Sequence, residues 1–468
     1  MLGRLWIPGA LGLLLAACGS GGAVVEPETT PPASGAGTGA APGDDRTAAT
    51  PPGSDAGMVA TADSGPSAAD DAGSKPAAPT EVVTLLHANH RYVPNAMFGG
   101  WGPHLGHLVR RHPDRATDEL WFVDDACAPG TCNVLANGRL DYLKFEAGTW
   151  KKIDSMTLPA GVQQNTGTIL VKDTAFTYGL STGGALWECS RVMSTGVKRC
   201  SAVTSATGSG ANYVGAAVSP KGTKMAWYTN VVDGGGGSFS FFAEYGNGWN
   251  GPRVGNVGGY NDVGYINVAF GIEKDPNRFV LHGQFVNGLA PNWGFAAGTA
   301  EGDISKANAV GWGTPLVPPP GETIMSTNDV LVDPDTGDTH LVARTRVDNS
   351  VYYFRPRGGA WTRLDIFPKT LRARLVLLDD KTIALAQGPA KGGLSVTFAR
   401  PDARTPGKPI PWSTLPTVKP TLPPGYEDLM AIYPEATVYQ DTDVPRVELA
   451  IVGEKKQSEV TFVAVALP

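Results

Sequence analysis

The chain has 468 residues, 18% of them charged, and a formal net charge of −6 at pH 7. The acids are unevenly placed: residues 19–80 carry eight of them against only Arg46 and Lys75, which leaves residues 81–468 close to −1. A nearly neutral folded part excludes nucleic acid as a partner, because phosphate binding needs a basic surface.

In chain order, the first element is a secretory signal. Arg4 is followed by the apolar run Leu5–Ala17 and then by Cys18-Gly19-Ser20. A run of about 13 apolar or small residues is too short for a bilayer span, which needs roughly 20, and it ends where a small-residue cleavage motif belongs. Leu15-Ala16-Ala17-Cys18 resembles the bacterial lipobox, which implies cleavage before Cys18 and lipidation of its sulfur. Residues 1–17 are therefore read as the signal peptide and Cys18 as the lipid anchor to the membrane. Neither Gly19 nor Ser20 resembles the aspartate that retains some lipoproteins at the inner membrane. The expected location is the outer membrane, with its periplasmic and surface faces both open.

The rest of the stretch 18–80 is almost all Ala, Gly, Pro, Ser, Thr and Asp, without an aromatic residue or apolar periodicity. It has too little apolar surface to offset its ordering entropy, and reads as a disordered tether. As a Gly-rich coil it has an r.m.s. span of roughly 45 Å.

Residues 81–468 form one all-β domain. Short runs such as Glu119-Leu-Trp-Phe-Val123 and Val351-Tyr-Tyr-Phe354 combine alternation, β-branching and aromatics, and are separated by Gly, Asn, Asp and Pro. Trp150, Trp249, Trp312, Trp361 and Trp412 recur after polar turns with separations of 99, 63, 49 and 51 residues. A period near 50 with four strands per repeat specifies β-propeller blades. The doubled first gap places the missing member at Cys200, where a disulfide stands in for an indole. Seven blades are expected at about 105–156, 163–205, 212–256, 262–318, 326–368, 372–416 and 427–467. Residues 81–89 would add the outer strand of the last blade, so that the termini close the ring. Six or eight blades are the alternatives.

Besides Cys18, four cysteines remain: Cys127, Cys132, Cys189 and Cys200. In an exported protein an even count reads as two disulfides, and local pairing is the simplest of three connectivities. The spacing is a poor zinc pattern, so neither a metal nor another cofactor is expected. Asp333-Pro-Asp335-Thr-Gly-Asp338 reads as a hairpin turn rather than a calcium loop, and Arg110-Arg111-His112 as a solvated strand end.

Val218-Ser-Pro-Lys-Gly-Thr-Lys-Met-Ala-Trp227 resembles the turn between the first two strands of TolB-type propeller repeats. The layout of the whole domain, about 50 residues per blade with an aromatic on the last strand, resembles the BNR-repeat, sialidase-like propellers, a group that includes polysaccharide lyases. The chain has no Ser-x-Asp-x-Gly-x-Thr-Trp box, which sets it apart from the sialidase branch.

In such a fold the loops linking one blade to the next open on one face around the axis, where ligands bind. They bring Trp101, His104 and His107 from blade 1, Gln163, Gln164 and Asn165 from blade 2, and Asn212 and Tyr213 from blade 3. Blade 4 brings Tyr260, Asn261, Asp262 and Tyr265; blade 5 brings Ser326, Asn328 and Asp329. Blade 6 adds Arg372 and Arg374, and blade 7 adds Glu427 and Asp428. Amides, tyrosines and indoles suit a sugar, with polar groups for hydroxyls and rings for C–H faces. The resemblance implies catalytic roles by residue type. His104 or His107 would move a proton, Tyr213 or Tyr265 would protonate the leaving oxygen, and Arg372 or Arg374 would hold a uronate carboxylate. Glycosidase action through Asp262, Asp329 or Glu427 is a further alternative. The expected protein is a monomeric, membrane-anchored propeller that binds an extracellular polysaccharide, with its cleavage by a lyase or glycoside-hydrolase step left open. The competing reading is a non-catalytic module for glycan, protein interaction or envelope assembly.

Overall fold

The computed structural model describes residues 81–87, 108–114, 117–126, 139–159, 161–181, 184–204, 211–230, 238–245, 248–256, 262–270, 275–287, 294–306, 316–434, 446–456 and 458–468. Strand β1 (Glu81–His87) comes first. Blade 1 is β2 (Leu108–Asp114), β3 (Thr117–Ala126), β4 (Arg139–Glu146) and β5 (Thr149–Thr157). Blade 2 is β6 (Val162–Val171), β7 (Thr174–Ser181), β8 (Leu186–Val192) and β9 (Lys198–Ala202). Blade 3 is β10 (Ala211–Val218), β11 (Lys224–Asn230), β12 (Ser238–Tyr245) and β13 (Gly248–Asn256), and blade 4 is β14 (Asp262–Phe270), β15 (Arg278–Asn287) and β16 (Gly294–Asp303). Blade 5 is β17 (Ile324–Val332), β18 (Thr339–Thr345), β19 (Ser350–Arg355) and β20 (Thr362–Phe367). Blade 6 is β21 (Thr370–Leu377), β22 (Ile383–Pro389), β23 (Ser395–Ala399) and β24 (Thr417–Val418), and blade 7 is β25 (Leu429–Pro434), β26 (Arg446–Gly453) and β27 (Val460–Ala466).

These strands make seven antiparallel sheets, a seven-bladed β-propeller, and β1 pairs with β27 as the outer strand of blade 7. Seven blades with the two ends of the domain closed in one sheet is the architecture that the repeat period predicts. The closure covers the edge of β27, which would otherwise offer its unpaired backbone to another chain. Where β4 meets β5 the chain reverses in two residues, Ala147 (φ 51°) and Gly148 (φ 79°), both left-handed as a two-residue hairpin of the favoured hand requires.

The core lies between blades rather than within them. Leu108, Leu120 and Phe122 of blade 1 pack on Tyr433, Ala450 and Phe462 of blade 7. Similar clusters join blades 1 and 2, 2 and 3, 4 and 5, 5 and 6, and 6 and 7. Burial falls with distance from the axis: every residue of β18 is buried, whereas the outer strands β5, β9 and β20 are largely exposed.

The repeated tryptophans serve this packing. Among the described residues, each of these indoles docks on the preceding blade. Trp150 meets Phe462 edge-on at 5.3 Å between ring centroids, Trp249 meets Tyr178 at 5.9 Å, and Trp412 meets Tyr352 at 6.0 Å. Trp361 donates its indole N–H to Thr299 at 2.8 Å. Edge-to-face pairs of this kind add about 0.5–1.5 kcal/mol beyond their buried area. Blade 2 uses sulfur in the same place. Cys189 and Cys200 face each other across β8 and β9 and are bridged, and Cys200 Sγ lies 3.8 Å from Met156 Sδ of blade 1. Cys127, Cys132 and Trp312 lie outside the described residues.

Two expectations need correction. Trp412 is not on a strand but in a short 3-10 turn ahead of β24, and β24 is only two residues long. The segment between β23 and β24 contains Pro401, Pro406, Pro409, Pro411 and Pro416, and proline has no N–H to give a ladder. Arg110 is not solvated: it is 4% exposed and pairs with Asp118 and with Glu448 of β26, which Arg446 also holds at 2.6 Å. It joins blade 1 to blade 7 at the point where the ring closes. His112 of the same run is exposed.

Candidate functional site

The inner strands of blades 2 to 7 are irregular at one common end. Pairing slips between Val162 and Gln164, and again between Asn165 and Thr168, in β6. It slips between Asn212 and Val214 in β10 and between Gly264 and Asn267 in β14. The same happens at Ile324/Ser326 and Thr327/Asp329 in β17, at Thr370/Arg372 in β21 and at Leu429/Ala431 in β25. A bulge adds a residue on one strand and re-aims its side chains, and bulges concentrate at barrel rims and functional sites. In β6, β10, β14, β17 and β21 the bulge falls on, or directly beside, the residues singled out from the sequence. Gln164, Asn165, Asn212, Tyr213, Asp262, Tyr265, Asn328, Asp329, Arg372 and Arg374 thus all lie on inner strands, five blades in succession around one ring. Trp101, His104, His107, Tyr260 and Asn261 lie outside the described residues, as does Cys18.

The structure resolves Asp329, Arg372 and Arg374 in chemical detail. Arg374 is fully buried. It donates from Nε to the Ile432 carbonyl of β25 at 3.0 Å and from Nη1 to the Ala373 carbonyl at 3.0 Å. Arg372, two residues earlier on the same strand face, donates from Nε to the Met430 carbonyl at 2.6 Å. One blade earlier, Asp329 accepts the N–H of Leu375 in β21 at 3.0 Å and that of Val330 at 2.9 Å. The three side chains form a chain of latches. Blade 5 holds the backbone of blade 6, and blade 6 holds the backbone of blade 7.

Burial drives the electrostatics of this set. It pushes the Asp329 carboxyl up to about 7, although Arg374 and the two N–H donors pull it back toward ionisation. Burial likewise lowers Arg374, and the Asp329 charge opposes that shift. Each therefore supports the other's charged form against the cost of burial. Glu427, in contrast, is exposed, with its carboxyl held below the usual range by the Gly425 N–H.

A second polar cluster, 333–340 with 401–410, was not visible as a site in the sequence. Asp333 Oδ1 accepts the N–H groups of Asp335 and Thr336, and Gly337 takes φ 74°, so the segment is the hairpin turn expected of it. Arg404 of blade 6 pairs with Asp333 across the blade boundary. No local pattern announces that pairing, because 71 residues separate the partners.

No protein-family model matches the chain, and no curated protein sequence matches it. Among solved structures, the chain is similar to the polysaccharide lyase Uly1, with a TM-score of 0.53 at 13% identity over 83% of this chain and 99% of that one. It is also similar to a PL25 ulvan lyase bound to -[GlcA(1-4)Rha3S]-, with a TM-score of 0.51 at 8% identity over 81% and 95% of the two chains. A protein of unknown function from Dyadobacter fermentans aligns over 83% of this chain and all of its own at 13% identity, with a TM-score of 0.47. At these identities the likeness shows the fold.

Proposed function

We propose that this chain is a lipid-anchored propeller of the cell envelope that binds an extracellular polysaccharide where the linking loops meet the inner strands. The observation that carries this reading is the ring of bulges. Five successive inner strands carry candidate residues on or beside their bulges, and the amides and tyrosines among them are groups that suit a glycan's hydroxyls and ring faces. The fold shared with two polysaccharide lyases, one of them bound to a glucuronate-containing glycan, and the BNR-type layout support the same ligand class. The anchoring part of the proposal rests on the Leu15–Cys18 motif and the tether that follows it.

Binding is favoured over cleavage by one specific observation. Both Arg372 and Arg374 have their Nε groups committed to backbone carbonyls of blade 7, so their first role is to hold the ring. Cleavage would fall to His104 or His107 with Tyr213 or Tyr265.

The test is a titration of the full chain in detergent with a panel of neutral and uronate polysaccharides. Saturable binding of at least one is expected, weakened tenfold or more by Gln164→Ala or Asn212→Ala. Following the same mixtures for unsaturated sugar ends separates a lyase from a binding module, with Tyr213→Phe and Tyr265→Phe as the catalytic controls. Retention of no polysaccharide, together with unchanged behaviour of both amide variants, would exclude the glycan reading and leave a protein-interaction propeller.

A further inference from the structure

At the opposite ends of the inner strands, between blades 5 and 6, lies a cavity of about 150 Å³. The turn after β17 lines one side with Asp333 and Asp338, β18 contributes His340, and the segment after β23 supplies Arg404 and Lys408. This face is independent of the bulged ends.

His340 is 2% exposed, yet it lines the cavity. Its Nδ1 lies 2.8 Å from Tyr352 Oη, and the same oxygen accepts the Ile410 N–H at 3.2 Å. The Tyr352 hydroxyl is buried and has no acceptor but Nδ1 among the described residues, so the phenol proton is the one shared with Nδ1. Burial keeps the phenol protonated and the imidazole neutral. The single ring proton therefore sits on Nε2, and Nε2 has no partner in the protein. Arg404 presents a second buried donor: its Nη1 pairs with Asp333 and its Nη2 reaches the Lys381 carbonyl at 2.7 Å, but its Nε has no partner. The ammonium group of Lys408, on the open side, makes no ion pair among the described residues.

The acceptors of the cavity are already engaged. Asp333 takes two backbone N–H groups and Arg404, and Asp338 takes the N–H groups of Arg357 at 2.9 Å and Gly407 at 2.8 Å. What remains is a set of donors: His340 Nε2–H, Arg404 Nε–H and the Lys408 ammonium. A buried donor left unmatched is costly, so an acceptor is what completes such a set. Two N–H groups beside a cation suit the two oxygens of one carboxylate. The nearby charges of Asp333, Asp335 and Asp338 disfavour an anion of higher charge.

We propose that this cavity between blades 5 and 6 is a binding site for a carboxylate-bearing ligand, held by His340 Nε2, Arg404 Nε and Lys408 on the face of the ring away from the linking loops. A uronate end or a chain-terminal carboxylate would present the same group.

The test is calorimetric titration of the full chain with sodium acetate and sodium glucuronate, with glucose and sodium sulfate as controls. The nitrogen-15 signal of the His340 ring is followed in parallel. Both carboxylates are expected to saturate one shared site and shift that signal, and glucose is expected to leave it unmoved. Lys408 is exposed, so Lys408→Gln leaves the fold intact; it should weaken carboxylate binding at least tenfold and leave polysaccharide binding at the linking loops unchanged. A His340 signal indifferent to both carboxylates, an equal response to glucose, tighter binding of sulfate, or an unchanged affinity in Lys408→Gln would each overturn the assignment.

Discussion

Replacing Arg374 by methionine tests the latch between blades 5, 6 and 7 most directly. Methionine keeps most of the side-chain stem and removes the guanidinium, so the loss is polar rather than a large cavity. Two carbonyls, of Ile432 and Ala373, lose a charged donor at 3.0 Å each, and Asp329 loses the cation that supports its ionised form. Arg374 and Asp329 act on each other through space, so removing the guanidinium costs the carbonyl hydrogen bonds, about 1–3 kcal/mol, together with its support of the Asp329 charge. The penalty should depend on pH because Asp329 titrates near 7. At pH 8 the wild-type carboxylate is ionised, whereas the variant takes up a proton there, which adds about 1.4 kcal/mol for the one pH unit above 7. At pH 5 it carries a proton with or without Arg374, and only the carbonyl hydrogen bonds are lost, about 1–3 kcal/mol. Urea unfolding of both proteins at the two pH values measures this, provided the slope m is unchanged. Asp329→Asn in the Arg374→Met background should abolish the pH difference. A loss below 1 kcal/mol at pH 8, or the same loss at both pH values, would refute the coupling.

Three further outcomes are expected. Asp329 has its folded pKa raised above the ordinary carboxylate value, so its contribution to stability is complete below about pH 4 and disappears as pH rises through 7. His340, held down by burial, acts in the opposite sense as pH falls below 6.5. The difference between wild type and Asp329→Asn, followed by thermal melting from pH 4 to 8, isolates the first effect, and a flat difference would disprove it. Breaking the Cys189–Cys200 bridge in the paired serine variant should cost roughly 2–3 kcal/mol for so short a loop, read by urea unfolding, and free thiols at both positions in the oxidised protein would contradict the bridge. Cys18→Ser should release the protein from the detergent-soluble membrane fraction with its propeller still folded; unchanged partitioning would refute lipid anchoring.

Much of the architecture was legible because a propeller is written into sequence as a period. Trp150, Trp249, Trp361 and Trp412 recur near every 50 residues because each fills the same gap against the preceding blade. Cys200 replaces an indole in that gap, and so it could be placed before its partner was seen. Gln164, Asn212, Asp262, Asn328 and Arg372 were legible as polar residues at one phase of the repeat, but as loop residues; the bulges that carry them on the inner strands were not. Local alternation, turn residues and repeat phase are properties of neighbouring residues, and the sequence by itself determines them. The role of each charged side chain is not of that kind. Arg110 looked like a solvent-facing neighbour of Arg111, yet it is buried against Glu448, 338 residues away. Arg374 looked free to take a ligand, yet it holds the Ile432 carbonyl of the next blade. His340 and Arg404 meet at one cavity only because blades 5 and 6 pack face to face. Desolvation and long-range pairing set the charge and the partner of a buried group, and both depend on which blades touch, so only the closed ring decided them.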